Sequence, residues 1–345
     1  MPVGSRDVTA EPRLVDVARL AGVSIATASR TLSGARAVTP ELGRRVLEAA
    51  DALAYTVNPH ARSLAGGLSA VIGLMVYEID DPYFAEIAGG VVAVAAQHGW
   101  SVQVSHQERT PASDLAGARL LRGQRVGAIV IAGSGYRDAA MNTTLNAELE
   151  AFAASGGRLV AIGHRDLDCH AVLPDNVGAA RVATEHLVAL GHRRIGVVAG
   201  PERMTTVQDR SRGVREAAEA AGIVDLAWEH AAFTRDGGRA ATTRLLEDRP
   251  DLTAVVALND TMAVGALSVL REREISVPHT VSVTGIDDVQ VAQDLAPALT
   301  TVRLPMASMG RQAAALALQA VRTPATVVEV AHELVVRAST APPPA

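Results

Sequence analysis

The sequence predicts an α/β protein in which a small all-helical unit precedes a larger region of parallel sheets covered by helices on both faces. Two observations carry this. Residues 14–32 place apolar residues at helical spacing on either side of a glycine, and beyond residue 67 the pattern changes to short apolar runs alternating with amphipathic stretches, then repeats. At 345 residues and 48% hydrophobic content the chain is long enough for more than one domain, and it has no apolar run long enough to span a membrane.

Residues 15–21 read as a first helix with Val17, Ala18 and Leu20 on its buried side, and Gly22 supplies the permissive backbone for a turn. Ser24 can cap a second helix carrying Ile25, Ala26, Thr27, Ser29 and Arg30. Thr39-Pro40 starts a third, since the hydroxyl can cap and proline suits the first helical position; Val46, Leu47, Ala50 and Leu53 form its apolar stripe. A second cap-plus-proline pair, Asn58-Pro59, opens the run His60 to Ala65 before Gly66-Gly67 ends it. Roughly eight residues make too short a helix to be stable alone in water, so this run is expected to fold only against something else. Strands are then predicted near residues 71–77, 101–105, 128–132 and 159–163, with helices near 84–97, 112–121 and 142–154. The second round predicts strands near 195–199, 227–233, 253–258 and 281–286, with helices starting near Asn176, Asp209, Asp236 and Asp260. Ligands in open parallel sheets bind beyond the carboxyl ends of the strands, which points to the space between the two rounds.

Two short helices crossing at a glycine can present the start of the second to the major groove of DNA. Ser24, Ile25, Ala26, Thr27, Ser29 and Arg30 are the candidate contacts. Ile25 and Ala26 neither donate nor accept a hydrogen bond, so base reading there rests on apolar contact such as a thymine methyl, with Arg30 the candidate for a bidentate guanine contact. There is no lysine; residues 1–66 hold 8 Arg against 6 acidic residues and the remainder 24 against 31. Such a mildly basic segment attracts phosphates weakly, so binding should need two copies acting together.

Other chemistries find little support. The single cysteine, Cys169, fits a reducing compartment, and the N-terminus lacks the apolar core of a secretion signal, so a cytoplasmic location is expected. His164, Asp166, Asp168, Cys169 and His170 fall within seven residues but read as a polar loop after a strand rather than a zinc site. GSGYRD at 133–138 lacks the third glycine of a dinucleotide fingerprint, and no P-loop, nucleophile elbow or zinc-protease motif is present. Asp287 and Asp288, if extended, point to opposite faces and cannot by themselves form the carboxylate pair of a sugar hydrolase. No enzyme activity, cofactor or metal is expected.

The phrases DVARLAGVSIATASRTLSG, VTPELGRRVLEAADALAY and NPHARSLAGG resemble, in order and spacing, the headpiece and hinge of the lactose-repressor (LacI/GalR) family of bacterial transcription regulators. IGLMVYEIDDPYFAEIAGG, AVVALNDTMAVGAL and VSVTGIDDVQVAQDLAPALTTVR resemble parts of that family's effector domain. Residues 1–11 read as disordered from their own sequence, and the resemblance implies a helix-turn-helix headpiece at 12–57 and a hinge at 58–67. It further implies a periplasmic-binding-protein-like effector and dimerisation domain of two interleaved subdomains at 68–340, while the tail APPPA at 341–345 reads as disordered from its own sequence. It implies a homodimer on a near-palindromic double-stranded operator, with Asn58, His60, Arg62 and Leu64 of the hinge at the DNA and Leu64 as a minor-groove wedge. A small-molecule effector, a sugar or sugar derivative, is implied between the subdomains, with a nucleoside or purine as the alternative. A two-lobed sugar-transport protein would share the clamp but would need an export signal and has no use for residues 14–65.

The resemblance places Tyr83, Phe84, Phe233, Asn259, Asp287, His164 and Arg165 at pocket positions. Gln208 stands where sugar-binding members carry an arginine, with Arg210 two residues on; both are candidates. His164 replaces a carboxylate often found there, and Arg13 stands where a Ser or Thr cap is usual, so the first helix should start less firmly.

Overall fold

The computed structural model describes residues 12–32, 38–55, 69–319 and 324–344. The chain divides into two compact units, Met1–Ser69 and Ala70–Ala345.

The first unit is a three-helix cluster: α1 Leu14–Ala21, α2 Ile25–Leu32 and α3 Pro40–Ala52. Its core is Val17, Ala18, Ala21, Ala28, Val46, Ala49 and Ala50, with Leu14, Val23, Leu32, Leu53 and Tyr55 packed at the edge. Gly22 adopts φ 62°, the left-handed conformation that ends α1 and turns the chain into α2. The Arg45 guanidinium donates to the Ala21 carbonyl at 2.6 Å, satisfying an end-of-helix acceptor. Ser24 accepts the Thr27 amide at 3.1 Å, the capping bond expected of it. Arg13 has no acceptor to offer, but Asp16 takes the Arg13 amide at 2.9 Å, so α1 is capped from within its first turn.

Three expectations fail locally. Leu20 and Leu47 are 56% and 54% exposed, because the inward faces are Val17-Ala18-Ala21 and Val46-Ala49-Ala50. Thr39 precedes Pro40 at the first position of α3, yet its hydroxyl makes no capping bond.

The second unit contains a six-stranded sheet in the order β11-β5-β4-β3-β1-β2, a four-stranded sheet in the order β7-β6-β8-β9, and the pair β10-β12. The first sheet comprises β1 Ser69–Val76, β2 Ser101–His106, β3 Val126–Ala132, β4 Arg158–Ile162, β5 His170–Pro174 and β11 Val327–Val330. The second comprises β6 Ile195–Ala199, β7 Ala227–His230, β8 Ala254–Ala257 and β9 Ser282–Thr284; β10 is Thr301–Arg303 and β12 Glu333–Val335. The described pairings within both sheets are parallel, whereas β10-β12 is antiparallel. Central strands such as β3, buried at every residue, read as unbroken apolar runs because helices cover both faces. Helices Pro82–Gln97, Pro111–Gly123 and Ala139–Ala154 serve the first sheet; Asn176–Ala189, Thr205–Ala220, Arg235–Asp248 and Asp260–Glu272 belong to the second round. The helix Met306–Ala317 packs back on Pro82–Gln97 and on β3, β4 and β5, which carries the late part of the chain across to the first sheet.

β5, β10, β11, β12 and the helix Met306–Ala317 were not predicted from the pattern. The start of the tail expected to be disordered is held: the Ala341 amide donates to Ser282 Oγ at 3.0 Å and its carbonyl lies 2.9 Å from His192 Nε2. Among the described residues no helix is long and apolar enough to cross a membrane.

Gly285, just past the end of β9, allows a close approach, since a Cβ there would lie 2.0 Å from Asp260 Oδ1. Gly285→Ala is expected to lower unfolding free energy by about 1–3 kcal/mol in urea denaturation of the full chain, with an unchanged denaturant slope.

Candidate functional site

The carboxyl ends of the two sheets' strands face one another across a narrow cleft with a cavity of ≈ 30 Å³. Its wall is Asp81, Tyr83, Phe84, Arg109, Gly133 and Ser134 from the first sheet's loops, and Met204, Thr206, Arg210, Phe233, Asn259 and Asp287 from the second's.

The deepest interaction is an ion pair: Arg210 Nη2 to Asp287 Oδ1 at 2.7 Å, with both side chains almost fully buried. Arg210 also donates through Nε to Asn176 Oδ1 at 2.9 Å and through Nη1 to the Leu258 carbonyl at 2.5 Å. All three nitrogens are therefore satisfied, as a buried cation requires. Asp287 has φ 123° and Asp288 φ 58°, so the extended geometry assumed from sequence does not hold. The twist sends Asp287 to Arg210, while Asp288 pairs with Arg303 at 2.8 Å and Arg337 at 2.7 Å. The loop is pinned from behind by Asp260, whose carboxylate accepts the Val289 amide at 2.9 Å and the Thr301 hydroxyl at 2.5 Å. Asn259 caps the helix Asp260–Glu272 by accepting the Met262 amide at 2.8 Å, which leaves its side-chain NH₂ as a donor at the cavity wall.

Burial pushes Asp260 up to about 7, with the neighbouring Asp287 charge adding to the effect. Burial also raises Asp287 to about 6 against the pull of Arg210. Asp81, raised by burial, caps the helix Pro82–Gln97 through the Tyr83 amide and meets Thr261 of the opposite side at 3.4 Å.

Six of the nine residues expected at the pocket line it: Tyr83, Phe84, Arg210, Phe233, Asn259 and Asp287, although Phe233 lies three residues past the end of β7 rather than on it. Three do not. Gln208 faces a separate surface groove, where it accepts from Arg137 at 2.9 Å and donates to the Glu202 carbonyl at 2.7 Å. On the helix Thr205–Ala220 it stands two positions from Arg210, about 200° around the axis, so both cannot face the cleft. The His164 side chain is exposed, and only its backbone serves the wall, its amide donating to Ser134 Oγ at 3.2 Å. Arg165 stands behind the wall, donating to the Gly133 carbonyl at 3.0 Å and the Tyr77 hydroxyl at 2.8 Å. Asp81, Arg109, Ser134, Met204 and Thr206 were missed. Their sequence signal is position alone: each follows the end of a predicted strand. Among the described residues no three His, Cys, Asp or Glu side chains gather as a metal site.

In the first unit, Ser24, Ile25, Ala26 and Arg30 of the α2 region are exposed and Thr27 and Ser29 half-buried. Ile25, 51% exposed, is an apolar side chain left without a core to join. Arg30 Nε donates to the Ala26 carbonyl at 3.1 Å, laying the guanidinium along this face.

Residues 13–58 match the family described as "Bacterial regulatory proteins, lacI family", and 184–340 match "Periplasmic binding protein-like domain". The chain is 35% identical over 306 residues to the HTH-type transcriptional regulator GalS of Salmonella typhimurium, covering 88% of each chain. It is 34% identical over 315 residues to the HTH-type transcriptional regulator CelR of Thermobifida fusca, covering 88% of this chain and 90% of CelR. This chain belongs to the LacI family. Among solved structures it resembles the lac repressor dimer bound to operator and the anti-inducer ONPF, with TM-score 0.81, 26% identity, and 96% and 99% of the two chains covered. A transcriptional regulator CelR–cellobiose complex aligns with TM-score 0.69 and 31% identity over 95% and 99% of the chains.

The protein is thus a LacI-family transcriptional regulator with a helix-turn-helix DNA-binding unit and a periplasmic-binding-protein-like unit, not an enzyme. The hinge candidates Asn58, His60, Arg62 and Leu64 lie outside the described residues.

A carboxyl whose folded pKa is raised stabilises the fold while protonated, and that contribution is lost as pH rises through the folded value. With Asp260 at about 7 against 3.8, the unfolding free energy should fall between pH 4 and 7. The slope should not exceed about 1.4 kcal/mol per pH unit for this group. Asp260→Asn, which mimics the neutral form, is expected to flatten the pH 4–7 profile in urea melts.

Proposed function

We propose that this regulator binds a near-palindromic operator as a homodimer and that its operator affinity is set by a small uncharged polyhydroxy effector, a sugar or sugar derivative, held in the cleft. The observation that carries the effector reading is the charge balance of the wall. Arg210 is matched by Asp287 and Arg109 by Glu78, while Asp81 is a carboxyl with a raised pKa, so no unmatched cation attracts an anionic ligand. What remains is hydrogen-bonding capacity of both signs, from Asp287, Asn259, Ser134 and Thr206, beside the rings of Tyr83, Phe84 and Phe233. That combination suits a sugar, whose hydroxyls both donate and accept and whose ring has an apolar face. The solved CelR–cellobiose complex supports a sugar over a nucleoside. No cofactor or metal enters this reading, and the protein works in the cytoplasm.

On DNA, Ile25 and Ala26 make apolar contacts in the major groove and Arg30 swings from the Ala26 carbonyl to a guanine. Asn58, His60, Arg62 and Leu64 of the hinge contact the operator, with Leu64 as the wedge in its minor groove. The effector alters the angle between the two sheets and so the placement of the hinges, a coupling of about 1–3 kcal/mol.

A gel shift with DNA from upstream of the regulator's own gene tests this reading, with and without sugar pools and nucleoside pools. A sugar pool should change the shifted fraction; a response to nucleosides alone, or turnover of the sugar, would reject it. Asp287→Asn is expected to lose that response while operator affinity without sugar stays within about threefold, well inside one decade of binding constant. Leu64→Ala should weaken operator binding and reduce DNA bending in a circular-permutation assay while leaving the sugar response of the cleft intact.

A further inference from the structure

Arg109 is a wall residue whose guanidinium stands among three aromatic rings. It follows β2 and immediately precedes Thr110, the cap of the helix Pro111–Gly123. Glu78, just past β1, grips it bidentately, with Nε to Oε1 and Nη2 to Oε2 both at 2.6 Å, so the plane of the guanidinium is fixed as well as its position. Its carbon lies 4.5 Å from the centre of the Tyr77 ring and 5.7 Å from that of Phe84, on the first sheet's side. It also lies 5.9 Å from the Phe233 ring, on the second sheet's side, and Nη1 reaches the Met204 sulfur at 4.0 Å. A cation among three rings is attracted to each of their faces, and here the rings belong to both halves of the clamp.

Met204 connects this contact to the mouth of the cleft. Its backbone bridges Tyr136, flanked by two hydrogen bonds between loops of opposite sheets: the Arg137 amide to the Arg203 carbonyl at 3.1 Å and the Thr205 amide to the Gly135 carbonyl at 3.2 Å. The sulfur that meets Arg109 is thus carried by the residue between the two, Arg203 and Thr205, whose backbones latch the loops.

We propose that Arg109 is an internal bolt: its guanidinium, clamped by Glu78, takes the aromatic surface between the two halves and holds the cleft shut, so that an effector gains entry by displacing it. This rests on reading the cleft as the effector site and adds how access to it is controlled. The small size of the cavity follows from the same arrangement, since the bolt takes up the space between Phe84 and Phe233.

The test needs no ligand. Amide hydrogen exchange of the full chain without added sugar reads the latch directly through the Arg137 and Thr205 amides, with the β3 and β6 amides of Val130 and Val197 as core references. Arg109→Ala is expected to lower protection at Arg137 and Thr205 about tenfold or more with the core references unchanged, as for a local opening. Unchanged protection at both amides overturns the proposal. Should Arg109→Ala disturb the core references too, Phe233→Leu removes one ring from the far side and leaves the Glu78 clamp in place. It is expected to reduce protection at the same two amides by several-fold, and no reduction overturns the proposal equally. Because no sugar is present, this result is separate from the gel shift: a failed sugar response would remove the effector reading and the entry route with it, while the exchange result alone decides whether Arg109 holds the cleft shut.

Discussion

The buried ion pair between Arg210 and Asp287 is the constraint around which the cleft is organised. Burying two charges is unfavourable unless their geometry and remaining hydrogen bonds compensate, and losing one partner of such a pair costs about 3–5 kcal/mol. Here the compensation reaches into several elements at once. Arg210 is tied to the start of the helix Asn176–Ala189 through Asn176 and to the end of β8 through the Leu258 carbonyl. Asp287 takes a left-handed backbone conformation that its surroundings must impose, and Asp260 imposes it by holding the Val289 amide and the Thr301 hydroxyl. The pair thus fixes a helix, a strand end and a strained loop to one another and presents a charge-cancelled floor to the cleft.

The opposite wall repeats the principle nearer the surface. Glu78 matches Arg109, and the aromatic rings around them supply surface that neither charge needs for its own solvation. Arginine suits both places because its planar fork bonds a carboxylate with two nitrogens and can stack at the same time; lysine, absent from this chain, does neither as well. Both arginines at the cleft are thus matched by carboxylates.

Much of this was legible in the sequence, for identifiable reasons. The boundaries Ile195–Ala199, the start at Asn176 and the start at Asp260 follow from short apolar runs bounded by Gly, Asn and Asp, which the structure turns into strands and caps. Gly22 and Ser24 acted locally as their chemistry requires. Strands of three residues such as β10 and β12 carry too few residues for any periodicity, and the return helix Met306–Ala317 is apolar on faces serving a sheet far away in sequence. Gln208 was separable from Arg210 by helical geometry alone, because positions two apart point to opposite sides. Arg109 was not separable: nothing local distinguishes it from the chain's other arginines, and its role comes from Tyr77, Phe84 and Phe233 meeting around it.

The central claim is that a charge-cancelled floor makes this an uncharged-sugar cleft. Titration calorimetry of the full chain tests it most directly, using D-galactose, D-ribose and cellobiose beside galactose 1-phosphate, each against wild type and Asp287→Ala. The account predicts saturable heat from a neutral sugar that disappears in the variant, and none from the phosphate. Saturable binding of galactose 1-phosphate with no neutral sugar bound would contradict it.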